Sequence, residues 1–213
     1  MTTAVTLREG TASVFVSVDH CDSGCVGIHA AKSGSRFEAL EPVHQGVREH
    51  FGSLEEGVAS GLKVRHDHGP AYMSDGFQGE LAWLGIESSP SFVRAPEGNG
   101  IAERFIRTLK ENLLWVRTFE TAEELRLALL NFKRIYNHQW LIERHGWRTP
   151  AQVRAEKPGL LKQAAWRGNT INFVSNEPGV LHAGYLPTTI RGRGSFAGRS
   201  QALLWIRLAN KRA

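Results

Sequence analysis

Three strands, a helix, a strand, a helix, a strand and then helices: this order predicts a mixed α/β layer fold for the chain. Two observations carry the prediction. Residues 1–31 hold three β-rich runs in quick succession, and beyond residue 35 the apolar spacing lengthens to that of helices, broken only by two short strand-like runs. With 213 residues, 41% of them hydrophobic and 22% charged, the chain is large enough for one well-filled core plus a tail or a small second unit.

Residues 2–7 alternate well enough for a first strand, residues 13–18 (SVFVSV) are β-branched and aromatic, and residues 26–31 repeat the pattern after Ser23 and Gly24. The last two runs are read as a hairpin. Ser35 stands three residues before Glu38, a capping-box pair, and Phe37, Leu40, Val47 and Phe51 follow at near-helical spacing, so a helix is predicted to about residue 51. Residues 62–65 form a short strand, and His68-Gly69-Pro70 forces a turn. Phe77, Leu81 and Leu84 mark a helix ending at Gly85, and residues 86–88 supply a fifth strand. Two prolines and two glycines make residues 90–100 a loop, after which Phe105, Ile106, Leu109 and Leu113 give a strong helical stripe. A second capping box, Thr121 with Glu124, opens an amphipathic helix to about residue 137, and Thr149-Pro150 opens a short one.

Beyond about residue 157 glycines punctuate short apolar runs, so the chain divides into 1–156 and a basic, Gly-containing tail, 157–213, of unassigned fold. The net charge of +5 sits in that tail, since residues 156–213 hold 9 Lys and Arg against 2 Asp and Glu. Such a tail attracts a polyanion such as nucleic acid through phosphate contacts and counterion release. No run of about 18 apolar residues argues for a membrane span, and no basic segment followed by an apolar stretch marks a signal peptide. Cys21 and Cys25, the only cysteines, lie too close together to staple such a fold, and a cytoplasmic location is expected.

Asp67 falls at the end of a short strand and Glu103 in the first turn of a helix, with 35 residues between them. Two carboxylates at such element ends suit Mg²⁺ or Mn²⁺, hard cations that prefer oxygen ligands and are commonly shared with substrate phosphates. Taken singly, each has a plain structural use: Asp67 precedes a turn, and Glu103 stands four residues before Arg107. Their surroundings are more specific. The segments PEGNGIAERFIRTLKEN (96–112), RHDHGPAY (65–72) and YNHQWLIERHGWRTPAQVRAE (136–156) together resemble the integrase-core transposases of bacterial insertion sequences, over residues 1–156.

That resemblance implies a ribonuclease H-like fold with a mixed five-stranded sheet, its first strand incomplete, flanked by helices. It implies DNA strand transfer assisted by Mg²⁺ or Mn²⁺, with Asp67 and Glu103 as the second and third members of a carboxylate triad. DNA, as transposon ends and target, and a homo-oligomer on it are the implied partners in the bacterial nucleoid, with no membrane. The first aspartate of the family's triad lies on the first strand, immediately before the position matched by Met1. Asp19, in VSVDHCDSG (16–24), aligns instead with the end of the second strand and is expected to be a turn residue. The chain by itself is therefore expected to be inactive. Two alternatives stand beside that reading: a non-catalytic DNA-binding or oligomerising remnant, and a ribonuclease H-like nuclease.

Arg107 and Lys110 share the face of Glu103 and are candidates for DNA phosphates, and Asn99, between Gly98 and Gly100, is a candidate in a loop closing on DNA. His20, Cys21, Cys25 and His29 lack the spacing of a zinc site, and strand alternation explains them. Trp83, Trp115, Trp140 and Trp147 are expected to pack in the core or at an interface.

Overall fold

The computed structural model describes residues 1–91, 100–156 and 170–172. Strands β1 (Thr2–Thr6), β2 (Gly10–Asp19) and β3 (Cys25–Ala31) form an antiparallel meander, followed by α1 (Arg36–Phe51). Strand β4 (Lys63–His66) leads through α2 (Pro70–Met73) and α3 (Asp75–Trp83) to β5 (Glu87–Pro90), which pairs with β4 in parallel. Then come α4 (Gly100–Leu109), α5 (Ala122–Gln139), α6 (Pro150–Glu156) and a last strand, β6 (Thr170–Asn172). The mixed α/β order is as the sequence predicts.

Two apolar layers sandwich the sheet, and strand alternation decides which residue serves which layer. Val14, Val16 and Val18 point to one side, against Phe105 and Leu109 of α4 and Leu125 and Leu129 of α5. Phe15, between them, points to the other side, with Leu40 and Val47 of α1, Val64 of β4, and Phe77 and Leu81 of α3. On that second side α1 lies very close to β3. A Cβ built on Gly27 would stand 2.0 Å from the carbonyl oxygen of Pro42, so only glycine permits the approach. Ser17 Oγ, also buried there, donates to the same Pro42 carbonyl at 3.1 Å.

Several local expectations are corrected. Ser35 makes no side-chain cap, and the Glu38 carboxylate is turned to His29, whose Nε2 lies 2.6 Å from its Oε2. Thr121 does cap α5, accepting from the Glu124 amide at 3.2 Å. The helical stripe after residue 101 is not uniform: at Lys110 it widens into a π-helical turn, Lys110–Leu114, closed by the Trp115 amide on the Lys110 carbonyl. The wider turn lets Leu113 and Leu114 both reach the core. Of the four tryptophans expected in the core or at an interface, among six in the chain, Trp140 stacks on Tyr136, whereas Trp83, Trp115 and Trp147 are exposed rather than in the core, Trp115 by 70%.

The sheet has six strands rather than five, because the segment read as a tail contributes β6. Its three residues pair antiparallel with the end of β2 and parallel with β4, and so join the antiparallel meander to the parallel pair.

Candidate functional site

The chemistry expected from the sequence centres on the C-terminal end of β4. His66, its last residue, is fully buried and stacks on Tyr72 and edge-on to Phe77, with ring centroids 5.7 and 5.8 Å away. Its Nδ1 lies 2.7 Å from the Asp67 carbonyl oxygen, which can only accept, so Nδ1 carries the proton. Nε2 then accepts from the Ser88 hydroxyl at 2.9 Å. Burial holds this imidazole below its usual pKa, in keeping with a neutral ring. The result is a rigid strand end from which Asp67 emerges.

Asp67 is half-buried, and its Oδ1 accepts from the Gly69 amide at 2.9 Å, the turn that Gly69-Pro70 dictates. The Met1 α-amino group is buried nearby, within electrostatic reach of both Asp67 and Lys110. Burial pulls that amine down to about 5, against the opposing pull of Asp67. Glu103 and Arg107 are exposed on α4, whose buried face is Ala102, Phe105, Ile106 and Leu109. Asn99 lies outside the described residues, as do Gly98 and most of the loop before α4. Among the described residues, no three His, Cys, Asp or Glu side chains gather in one group that could hold a metal ion.

Asp19, at the end of β2, occupies a different environment. It is 3% exposed, its Oδ1 accepts from the Cys21 amide at 2.7 Å, and its carbonyl accepts from Ser23, closing a turn. Asp22, in that turn, receives a two-pronged contact from Arg154 of α6, at 2.6 Å from Nε and 3.1 Å from Nη2. Arg154 also reaches Asp19 at 3.8 Å and the Nε2 of His50 at 3.1 Å. Burial, then the charge of Asp22, pushes Asp19 up to about 6. Burial, then Arg154, pulls His50 down to about 4. This buried knot is structural in character, and sequence reading misses it. His29 and Cys25 are likewise engaged, His29 with Glu38 and Cys25 buried with its thiol pushed up to about 12.

With this geometry in hand, comparison with known proteins is informative. Residues 84–150 match the protein family described as "Integrase core domain". That integrase-core match covers α4 and α5, and so includes Glu103, Arg107 and Lys110. The chain is 26% identical over 149 residues to the InsD transposase of insertion element IS2E from Escherichia coli K12, covering 68% of this chain and 66% of that protein. It has the same identity to the longer IS2 InsD transposase of Escherichia coli, of which it spans about half, 48%. Among solved structures it resembles the simian T-cell lymphotropic virus intasome in complex with PP2A regulatory subunit B56 gamma, with TM-score 0.55, 21% identity, and coverage of 71% of this chain and 51% of that one. It also resembles the HTLV-2 integrase catalytic core domain in complex with magnesium, with TM-score 0.52, 18% identity, and coverage of 71% and 90%. The fold is that of integrase catalytic cores, ribonuclease H-like.

Proposed function

We propose that this chain is the catalytic core of a DNA transposase, acting in DNA strand transfer, with Asp67 and Glu103 as two of its metal-binding carboxylates. The observation that carries the reading is the match of residues 84–150, with Glu103, Arg107 and Lys110 among them, to the integrase core, alongside a strand end at which buried His66 fixes the backbone of Asp67. Asp67 and Glu103 are oxygen donors at element ends, a donor chemistry that fits Mg²⁺ or Mn²⁺. When bound, such ions activate the attacking hydroxyl and stabilise the leaving oxygen of an in-line displacement. Arg107 and Lys110 hold DNA phosphates alongside, and Asn99 contacts DNA from the preceding loop. The HTLV-2 integrase core, similar in fold, is in complex with magnesium, which supports the choice of ion. DNA ends and target are the substrates, and a homo-oligomer in the bacterial nucleoid holds them. Among the described residues no helix is long and apolar enough to cross a membrane.

Sheet register supports a place for a third carboxylate. Thr2 pairs with Val14, so a residue joined ahead of Met1 would face Val16. Val18, Asn172 and Arg65 share one row of the sheet, which puts the row of Val16, two further on, level with Asp67. An aspartate immediately before Met1 would therefore stand one strand away from Asp67.

The test is Mg²⁺-dependent strand transfer on element-end DNA, with the chain as given and with a strand extension ending in Asp ahead of Met1. The extended protein is expected to join DNA ends and the unextended one not. Asp67→Asn or Glu103→Gln in the extended protein should lower the rate by about 10³-fold or more while leaving the melting temperature within a few degrees. Joining by the unextended chain would remove the need for the third carboxylate, and cleavage without joining would favour a nuclease. A second reading, a chain that binds DNA or companion protomers without catalysis, is favoured by the lack of a three-ligand cluster among the described residues. It is distinguished by DNA binding without any strand transfer, even in the extended protein with Mg²⁺.

A further inference from the structure

The sheet has a slot, and its present occupant comes from an unexpected part of the chain. On one side, β2 pairs with β3 along residues 13–18. On its other side β1 covers residues 10–14 and β6 covers residues 18 and 19. Both β1 and β6 run antiparallel to β2, so they point the same way and lie on one line, β6 upstream of β1. Continuing the β1 register backwards, the residue before Met1 faces Val16, and two residues further upstream the line reaches Val18, the row held by Asn172. A strand arriving at Met1 along this line and the segment Thr170–Asn172 would need the same hydrogen-bonding groups of β2 and β4. The Met1 amine is buried, so any residue joined to it begins inside the protein, at the mouth of this slot.

We infer that Thr170–Asn172 is a replaceable strand: it holds the positions that any in-register extension of β1 ahead of Met1 would need, and the two exclude each other. An extended segment joined ahead of Met1 would enter the slot parallel to β4, because direction and register are already set. In this chain β6 takes the place and closes the seam between the two halves of the sheet, next to the ends of β2 and β4. Register alone sets this exclusion, independently of the strand-transfer reading, so its outcome and that of the activity assay are separable.

One backbone amide reports on the slot. In the β4–β5 ladder Glu87 donates to the Leu62 carbonyl and Ser91 to the His66 carbonyl, so even-numbered β4 residues face β5. In a parallel ladder the alternate residues face the opposite neighbour, which puts the Arg65 amide toward β6, where Arg65 is level with Asn172. Hydrogen exchange of Arg65, with Val64 and His66 as internal controls, is measured in the full chain and in Ile171→Pro. The substitution should speed Arg65 by about tenfold or more with the controls unchanged. Joining six alternating Val and Thr residues ahead of Met1 in the Ile171→Pro chain should restore Arg65 protection. The same extension on the unmutated chain should bring the amides of residues 170–172 to the rate of unstructured peptide, an arm that holds even where Ile171→Pro folds poorly. Protection of the extension and of residues 170–172 together in one molecule would overturn the inference. So would an Arg65 amide indifferent to both changes.

Discussion

Two aspartates end neighbouring parts of the same sheet, and their fates are opposite. Asp19, at the end of β2, is sealed in, with its carboxylate turned onto the Cys21 amide and Arg154 close by. Asp67, just past β4, is half-buried and follows a strand end fixed by His66. Both follow a strand and both open a turn, so neither feature separates a structural acid from a candidate catalytic one. What separates them is the packing brought from elsewhere: α6 closes over Asp19 and Asp22 with a guanidinium, whereas Asp67 stays half-buried and Glu103 on α4 is left in solvent.

The contrast can be broken at its strongest point first. Arg154→Ala should destabilise the protein by about 3–5 kcal/mol in urea unfolding, because it strands Asp22 and Asp19 as buried charges without a cation. A loss under about 1 kcal/mol would mean that the knot carries little of the fold. Next, Asp19→Asn should raise stability above pH 6 by on the order of 1–3 kcal/mol. The sign follows from its raised pKa: the folded protein holds a proton on Asp19 more tightly than the unfolded chain does. That contribution is full below the unfolded value of 3.8 and is lost as pH rises through about 6. Asp67→Asn, by comparison, should leave stability nearly unchanged at the same pH.

The effect confined to acid pH belongs to His50. Its pKa is lowered from 6.5 to about 4 in the fold, so the unfolded chain takes up a proton that the folded one does not, and stability falls as pH drops across that window. His50→Gln should flatten this acid slope in unfolding curves measured between pH 6.5 and 4, with little change at pH 8. An unchanged slope would remove His50 from the knot.

The fold was legible where residues that touch are near in sequence. The β2–β3 hairpin announces itself by β-branched alternation, and α5 by its cap and stripe, since both depend on local period. His66 left a trace as well: Val64 and His66 alternate as buried positions, which places an imidazole in the core. The Asp22 and Arg154 contact left none, because 132 residues separate its partners and nothing local marks either as paired. Gly27 reads as an ordinary glycine until α1 is seen lying against it. Strand β6 was hidden by its length, three residues in a glycine-punctuated stretch, and gains its identity only from the strands on either side. Asp67 and Glu103 stood out through the motifs around them rather than through spacing alone.

The late position of β6 has a consequence for synthesis of the protein. Strands β1 to β5 are complete by Pro90, yet the residues that join their two halves begin at Thr170. At roughly 5–20 residues per second, the 80 residues from Ser91 to Thr170 take the ribosome about 4–16 s. During that interval the end of β2 and the flank of β4 lack the partner that β6 supplies. The seam between the two halves is thus closed by the last of the described strands to be made.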